Sequence, residues 1–409
     1  MADRFSFQGL LSQAAPPPRK GGAVKRGKYD FAVAYPDPDS IPIDGLMESL
    51  KHALAEEGRD LALYADQRGY APLREFVSEK LARDRDIHVS ADDIILGDGS
   101  GQTIHMLLEV LVDPGDVLLI EDFVYSGTLN QMRRFQGDIR GVETDQDGML
   151  PDALEGAIQK AISQGRKPKL IYTIPTFQNP LGWTMTLERR KAMLEVSQQY
   201  GVPIMEDDCY VDLRYDGEDV TSIYSLQELG DLGDHGGDDM GSVMYVGSFS
   251  KIIAPGMRLG YLTAPKELRE RAQAAKSGGS VNSFAAYAVH RYATGHLDTH
   301  IEEINGIQRA KRDSMLAALG ENFGDRARWS QPDGGLFTWL EMPEGSDITS
   351  IRDRVLETAD VGYIAGPNFA PDGVSGRNCA RLCFGYNTPE QIREGIARLA
   401  QAFEREGVL

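Results

Sequence analysis

The 409-residue sequence is poor in cysteine, in long apolar segments and in positive charge. Its three cysteines, Cys209, Cys379 and Cys383, lack the spacing of a disulfide framework or a metal cluster, and so few thiols favour a reducing compartment. No apolar run approaches membrane-spanning length, and the first residues lack the apolar core of a signal peptide. The formal net charge of −19 opposes binding to nucleic acid. We therefore expect a cytoplasmic protein with no metal ion, no membrane contact and no nucleic-acid partner.

Short apolar runs alternate with helical patterns from about residue 45 onward, which is typical of α/β architecture. A helix is predicted over 186–200, with Thr186 as its N-cap. The nearly continuous apolar character of the other runs suits a mostly parallel sheet that helices cover on both faces. Six such runs are predicted as buried strands, at 93–99, 116–122, 170–176, 202–208, 243–249 and 259–265.

The pattern also predicts a division of the chain into parts. After residue 300 it changes to a long amphipathic helix, which is typical of a second, α+β domain. Two strands are predicted there, at 334–342 and 380–386, followed by a closing helix at 388–406. The segment 229–241 is rich in glycine and aspartate but lacks the spacing of a calcium loop, so it is predicted as a surface loop. The predicted parts are an N-terminal arm with part of the small domain (1–45), a large domain (46–290) and a small C-terminal domain (291–409).

Ligands of open α/β sheets bind beyond the carboxyl ends of the strands, so the polar residues that follow the predicted strands define one candidate site. These residues are Ser100, Gly101, Gln102, Tyr125, Asn179, Asp207, Tyr210, Ser248, Ser250, Lys251 and Arg258. Hydroxyl and amide donors, helix N–H groups and an arginine suit a phosphate. A carboxylate at the end of a buried strand can keep a pyridine nitrogen protonated, and a lysine can form a Schiff base with an aldehyde. Phosphate, pyridinium and aldehyde together predict pyridoxal 5′-phosphate as the cofactor.

The sequence resembles the fold-type I pyridoxal-phosphate-dependent aminotransferases of class I/II, and among them the 2-aminoadipate and aromatic amino-acid aminotransferases. The resemblance covers about residues 28–405. Its motifs occur in the order of the family: LYADQRGYAPLR, GSGQTI, EDFVYSG, PTFQNPLG, EDDCY, SFSKIIAPGMRLGY and RLCFGY. It implies a mostly parallel seven-stranded sheet in a large PLP-binding domain, a smaller α+β domain, and a homodimer with shared active sites.

The resemblance also implies a role for each matching residue. Lys251 forms the Schiff base and moves the proton, Asp207 pairs with the pyridine nitrogen, and Tyr210 reaches the 3′-oxygen of the cofactor. Arg381 grips the α-carboxylate of the substrate, with Asn179 and Tyr35 beside it. The other implied cofactor ligands are Ser100, Gly101, Gln102, Ser248, Ser250 and Arg258 at the phosphate, Asn179 at the 3′-oxygen, Tyr125 stacked on the ring, and Tyr64 at the phosphate of the neighbouring subunit.

Two segments depart from the family pattern. The segment FAVAYPDPDSIP lacks the usual glycine, and the resemblance puts its Ala34 and Tyr35 close to the substrate. Glu302 and Glu303 stand in a helix that commonly carries arginines. We therefore expect an enzyme that moves the amino group of an α-amino acid to a 2-oxo acid, with 2-oxoglutarate as the expected acceptor. The alternative is an enzyme of the same fold that eliminates, cyclises or oxidises an amino acid.

Two hypotheses come from other classes of protein. The run GDGSG, followed about twenty residues later by Glu121 and Asp122, is weakly similar to a dinucleotide-binding fingerprint. Its glycine spacing differs, however, and it explains none of Lys251, Asn179 or Arg258. A transcription regulator with a fused winged helix is disfavoured by the negative charge and by the short stretch that precedes the sheet domain.

Overall fold

Fifteen strands and eleven α-helices form the described part of the chain, residues 6–7, 9–12, 15, 26–229 and 241–409 of this computed structural model. The strands are β1 (Tyr29–Asp30), β2 (Ile95–Gly97), β3 (Val117–Glu121), β4 (Asp138–Val142), β5 (Thr144–Asp145), β6 (Gly148–Met149), β7 (Leu170–Thr173), β8 (Ile204–Asp207), β9 (Val243–Ser248), β10 (Gly260–Thr263), β11 (Arg328–Trp329), β12 (Phe337–Glu341), β13 (Val361–Gly362), β14 (Ile364–Ala365) and β15 (Cys379–Cys383). The helices are α1 (Ile43–Glu57), α2 (Ala71–Arg85), α3 (Ser100–Leu111), α4 (Ser126–Arg134), α5 (Pro151–Ser163), α6 (Leu187–Tyr200), α7 (Ile223–Leu229), α8 (Lys266–Ala275), α9 (Ser283–Phe323), α10 (Arg352–Ala359) and α11 (Pro389–Arg405).

The large sheet has seven strands in the order β2-β10-β9-β8-β7-β3-β4. Only β10 runs antiparallel to its neighbours, so the predicted α/β fold with a mostly parallel seven-stranded sheet is confirmed. Each of the six predicted runs contains one of these strands. The seventh, β4, was not predicted because it is a partly exposed edge strand that carries charged residues and Gly141.

Both faces of the large sheet are buried, which explains why its strands are apolar at successive positions. Leu119 and Ile171 belong to one hydrophobic cluster, whereas their sequence neighbours Ile120 and Tyr172 belong to the cluster on the other face. Successive side chains of a strand point to opposite faces, so helices on both sides hold the strand ends in place. The carboxyl ends of β7, β8 and β9 thereby become fixed neighbours.

A second sheet in the C-terminal part has the antiparallel order β11-β12-β15-β14. Thr388 caps α11 with a reciprocal capping box, and the predicted closing helix is confirmed. The predicted long helix is α9, but it begins at Ser283, earlier than expected. Because the proposed boundary at residue 290 lies inside this continuous helix, the division into three parts stays a prediction.

Two sequence-based predictions, the N-terminal arm and the surface loop, concern segments of which the structure describes only a part. Most of the predicted N-terminal arm, and positions 230–240 of the predicted surface loop, lie outside the described residues.

Within the described residues, no helix is both long enough and apolar enough to cross a bilayer. Cys209, Cys379 and Cys383 are all free thiols.

A fully buried arginine ties the end of β7 to β8. Arg190 Nη2 donates to the carbonyl of Pro175 at 3.0 Å and to Thr176 Oγ1 at 3.1 Å. Its Nη1 lies 3.8 Å from Oε1 of the equally buried Glu206 on β8. Pro175 and Thr176 lead directly to Asn179, so this ion pair supports the turn that carries a predicted site residue.

Replacing this arginine with an apolar residue of similar length should destabilise the fold. Arg190→Met leaves Glu206 buried without its counter-ion, and breaking a buried pair in this way costs about 3–5 kcal/mol. The midpoint of urea denaturation of the cofactor-free protein measures the loss. The neighbouring Arg189 is the matched control, because it is partly exposed and pairs with Asp145 at 2.8 Å. Arg189→Met should lower the free energy of unfolding by roughly 1 kcal/mol or less. Equal losses in the two variants would contradict the stabilising role of the buried pair of Arg190 and Glu206.

Candidate active site

Polar side chains from both sheets converge at the carboxyl edge of the large sheet. Asp207 is the last residue of β8 and Ser248 the last of β9, with Lys251 three positions further on. Asn179 follows β7, and Arg381 comes from the middle of β15 in the small sheet. The predicted strand-end residues thus lie at one edge, and the small sheet adds the predicted carboxylate ligand.

The amine of Lys251 lies inside this site. Its Nζ donates to the carbonyl of Ala34 at 2.8 Å and lies 5.8 Å from the ring centroid of Tyr210. Burial lowers the pKa of Lys251 to about 8. A substantial fraction of the amine is therefore neutral near physiological pH, and the neutral form is the one that acts as a nucleophile or a base.

The carboxylate of Asp207 has one oxygen bound and one oxygen free. Oδ2 accepts a hydrogen bond from Tyr172 Oη at 2.7 Å, whereas Oδ1 is buried and has no hydrogen-bond partner among the described residues. Burial raises the pKa of Asp207 above its usual value. A buried acceptor without a partner is costly, so Oδ1 suits a positively charged donor such as a protonated ring nitrogen.

Arg381 is a buried cation that no carboxylate of the described residues neutralises. Its Nη1 donates to Asn179 Oδ1 at 3.0 Å and its Nη2 to the carbonyl of Ala32 at 2.7 Å, while Nε has no partner. The guanidinium lies 4.5 Å from the ring centroid of Phe337 and 5.0 Å from that of Phe369. Burial lowers the pKa of Arg381. A planar, desolvated guanidinium of this kind is suited to binding a carboxylate.

Asn179 connects this arginine to Tyr210. Its amide oxygen accepts from Arg381, and its Nδ2 donates to Tyr210 Oη at 3.1 Å. Burial raises the pKa of Tyr210 well above its usual value, so the phenol keeps its proton. Because both ends of the amide are engaged, the orientation of Asn179 is fixed.

The start of α3 and Arg258 form a cradle that has no room for side chains. Gly99, the N-cap residue of α3, has a φ of 77°. A Cβ at Gly99 would lie 2.6 Å from Arg258 Nη2, and one at Gly260 would lie 2.5 Å from the backbone nitrogen of Ser100. Arg258 Nη2 also donates to the carbonyl of Asp98 at 2.8 Å. Free N–H groups of a helix start beside an arginine suit a phosphate.

The other predicted phosphate ligands lie at the same sheet edge but are partly engaged with the chain itself. Ser248 Oγ accepts from the backbone nitrogen of Ser250 at 3.1 Å. Gln102 Oε1 accepts from the nitrogen of Asp98 at 2.8 Å, and the carbonyl of Gly101 accepts from Gln131. These bonds fix the loop conformations and leave the role of each side chain toward a phosphate as a prediction.

Three predicted aromatic residues lie at the periphery. Tyr125 is the N-cap residue of α4, and its ring packs over Gly127. Tyr125 is 38% exposed, and partial desolvation of its phenol, followed by the charge of Asp207, raises its pKa. Tyr35 is 38% exposed, and Tyr64 is fully exposed, so Tyr64 takes no part in the site of its own chain.

Ala34 was predicted to lie near the substrate, but several contacts of the site were not predicted. The carbonyls of Ala32 and Ala34 bind Arg381 and Lys251, and the hydroxyl of Tyr172 binds Asp207. Contacts of backbone carbonyls cannot be predicted from residue types, because every residue has a carbonyl. Tyr172 lies in an apolar run, so the sequence predicts only that it belongs to a buried strand. Glu302 and Glu303, which were singled out for their charge, are exposed on α9.

Comparisons with known proteins show the family through a family model and through named relatives. The profile described as "Aminotransferase class I and II" matches residues 32–399. Aromatic-amino-acid aminotransferase 1 of Thermococcus litoralis is 35% identical over 380 residues, which is 92% of this chain and 88% of the relative. The crystal structure of a multiple substrate aminotransferase from Thermococcus profundus superimposes with a TM-score of 0.89, at 30% identity, over 98% of this chain and 99% of that one. LysN, the alpha-aminoadipate aminotransferase of Thermus thermophilus, complexed with N-(5′-phosphopyridoxyl)-L-leucine, gives 0.83 at 29% identity over 92% of each chain.

The lowered pKa of Lys251 predicts its reactivity in the cofactor-free protein. The neutral, reactive fraction of the amine falls progressively below about pH 8, so acetylation of Lys251 by acetic anhydride should rise with a midpoint near pH 8. Ordinary lysines should show a midpoint near ~10.4. Peptide mass spectrometry of one digest measures all of the lysines together, so the exposed ones serve as internal controls. A midpoint for Lys251 that coincides with theirs would contradict the stated environment.

Proposed function

The chain belongs to the class I and II aminotransferases, and on that premise we propose that it transfers the amino group of a large α-amino acid to 2-oxoglutarate. The family and the phosphopyridoxyl-bound neighbour imply pyridoxal 5′-phosphate as the cofactor. The observation that carries the proposal is the buried guanidinium of Arg381, which lacks a carboxylate partner and is hydrogen-bonded to Asn179. The family sets aside the dinucleotide-binding alternative, and the net charge of −19 disfavours the transcription-regulator alternative.

The residues of the site fit this cofactor. Pyridoxal 5′-phosphate supplies an aldehyde that bonds to amines and a ring that accepts the electron pair left when Cα loses its proton. Asp207, with its unpartnered Oδ1, suits the protonated ring nitrogen. Tyr210 and Asn179 suit the 3′-oxygen, and Tyr125 suits the ring face. The proposed phosphate ligands are Arg258, Ser100, Gly101, Gln102, Ser248 and Ser250.

Two cations of the chain act on different parts of the substrate. Arg381 binds the α-carboxylate, and Asn179 keeps the guanidinium in place, so that the Cα–H bond is held in one orientation. Lys251, neutral in part because its pKa is about 8, takes the proton from Cα as a general base. Once protonated, the same amine is the acid that returns the proton.

We propose a large substrate side chain because exposed rings stand at the mouth of the site. Tyr35 follows Ala34, whose carbonyl binds Lys251, and its ring contacts that of Tyr386 edge-on at 6.2 Å. Arg26 Nη2 donates to Tyr35 Oη at 3.1 Å. Aromatic side chains can pack on such rings, and a distal carboxylate can pair with the arginine. The same arginine suits the second carboxylate of 2-oxoglutarate.

We further propose that the working unit is a homodimer, in the cytoplasm. A groove of about 550 Å³ is lined by apolar residues of α1 and α9 and also by Arg258, a proposed phosphate ligand. Ile43, Met47 and Phe284 are 63%, 62% and 47% exposed there, which is unusual for a surface without a partner. A second copy of the chain that covers this groove would bring its own Tyr64 toward the phosphate end of the site. The cytoplasmic location rests on the sparse free thiols.

A single-turnover experiment tests the reaction type. Enzyme loaded with cofactor and given an amino acid, but no 2-oxo acid, should release about one 2-oxo acid per site, because the amino group stays in the protein. Addition of 2-oxoglutarate should restore turnover. In a panel of amino acids, aromatic and long acidic ones should react faster than alanine, and Lys251→Ala should release nothing. Sustained release without a 2-oxo acid would instead indicate elimination, cyclisation or oxidation.

Mixing of variants tests whether sites are shared between subunits. Tyr64→Phe and Lys251→Ala chains, each impaired alone at limiting cofactor, should form heterodimers with one intact site. After subunit exchange, an equal mixture should recover about a quarter of wild-type activity.

The double variant Tyr64→Phe/Lys251→Ala is the matched control for this mixing. Its heterodimer with the wild-type chain has one lesion in each site. Mixing should therefore lower the activity that the wild-type chains show on their own. Lack of recovery in the first mixture, with exchange demonstrated by mass spectrometry, would mean that Tyr64 does not act across subunits.

A further inference from the structure

A series of hydrogen-bonded hydroxyl groups leads to the carboxylate of Asp207. Tyr172 Oη lies 2.7 Å from Asp207 Oδ2, and Thr128 Oγ1 lies 3.1 Å from Tyr172 Oη. Tyr172 and Thr128 are completely buried, and Asp207 is 4% exposed. The network is therefore shielded from water, and its hydrogen bonds are stronger than exposed ones.

The direction of each hydrogen bond follows from the groups. An ionised carboxylate only accepts, so the single proton of Tyr172 is donated to Asp207. Thr128 then donates to the phenol oxygen. Burial, followed by the charge of Asp207, raises the pKa of Tyr172 well above its usual value, and the phenol remains a donor across the physiological range.

The fold brings these three residues together from three elements. Tyr172 on β7 is paired with Met205 on β8, two residues before Asp207, so Tyr172 and Asp207 share one face of the sheet. Thr128 lies on α4, the helix that begins directly after Tyr125. The chain of hydroxyl groups thus links the helix below the proposed stacking ring to the strand that ends in Asp207.

From this geometry we propose that Tyr172 is a positioning residue for the cofactor, acting through Asp207. By occupying Oδ2, the phenol leaves Oδ1 as the oxygen that meets the ring nitrogen. Its hydrogen bond also favours the ionised carboxylate and makes it a weaker base, so the proton stays on the ring nitrogen and not on Asp207. The inference rests on the proposed role of Asp207.

The neighbouring aspartate provides a matched control. On the other side of the sheet, Tyr245 Oη donates to Oδ2 of Asp208, the residue after β8, at 3.1 Å, and Tyr245 is also completely buried. Each tyrosine therefore holds one of two consecutive buried aspartates at the end of β8. Only Tyr172 acts on the aspartate that faces the proposed cofactor site.

The experiment compares Tyr172→Phe with Tyr245→Phe. For Tyr172→Phe, the dissociation constant of pyridoxal 5′-phosphate from the protein, measured by fluorescence titration, should rise on the order of tenfold, as for loss of one hydrogen bond to a charged group. The kcat should fall while KM for the amino acid stays within about twofold, because Arg381 is untouched. Tyr245→Phe should leave the dissociation constant and kcat unchanged.

The outcomes separate this inference from the proposed function. If Asp207→Asn weakens cofactor binding and kcat but Tyr172→Phe does not, the positioning role is overturned and the proposed function stands. If Asp207→Asn also behaves like the wild type, the proposed role of Asp207 is wrong, and the inference about Tyr172, which rests on that role, is wrong with it. Equal effects of Tyr172→Phe and Tyr245→Phe would indicate a structural role alone. Should Tyr172→Phe not fold, Thr128→Val decides: weaker cofactor binding with reduced kcat supports the inference, and wild-type values overturn it.

Discussion

The site depends on two buried ionisable groups, Asp207 and Arg381, and a half-buried one, Lys251, none of which has a neutralising partner among the described residues. An unpaired buried charge is costly, and proteins usually avoid it by pairing or by a shifted pKa. Here burial lowers the pKa of Lys251 to about 8 and also lowers that of Arg381, while it raises the pKa of Asp207. The two cations meet backbone carbonyls or an amide instead of carboxylates, and one oxygen of the anion has no hydrogen-bond partner among the described residues. Such groups are ready for ligands that carry the missing charges, which is why perturbed groups concentrate at functional sites.

The two acidic residues that flank Asp207 in the sequence, in contrast, each have an arginine partner. On the other side of the sheet, Asp208 pairs with Arg85 at 3.2 Å and Glu206 lies near Arg190. Glu206 also accepts from two backbone nitrogens at the start of α7. Three acidic residues therefore follow one another at the end of β8, and among the described residues the outer two have an arginine within 4.0 Å whereas Asp207 has none. Asp208 also keeps one buried oxygen, Oδ1, without a hydrogen-bond partner, so the lack of a cationic partner is what distinguishes Asp207. The alternation of side chains along a strand is what separates the two functions.

Residue type and position relative to a strand end were enough to predict most of the site. Lys251, Asp207 and Asn179 each follow a strand whose apolar run was visible, and the edge at which parallel strands end is common to all of them. The edge strand β4 was missed because exposed strands lack the apolar run that marks buried ones. Tyr172 was missed for the opposite reason, since its ring is as apolar as its neighbours and only the fold brings its hydroxyl to Asp207. The start of α9 at Ser283 escaped prediction because the helix is buried by different partners along its length, so no single stripe marks it.

The segment 31–42, which departs from the family pattern, contacts both cations of the site in the structure. This segment gives the carbonyl of Ala32 to Arg381 Nη2 and the carbonyl of Ala34 to Lys251 Nζ. A carboxylate bound bidentately needs two adjacent N–H groups of the guanidinium, and Nε is the one without a partner. Nη2 has two N–H groups, so a carboxylate bound at Nε and Nη2 shares Nη2 with the carbonyl of Ala32, whereas a nucleophilic Lys251 has to leave the carbonyl of Ala34. The same segment carries Tyr35 at the mouth, so the positions of the two cations and the shape offered to the substrate side chain depend on a few consecutive residues.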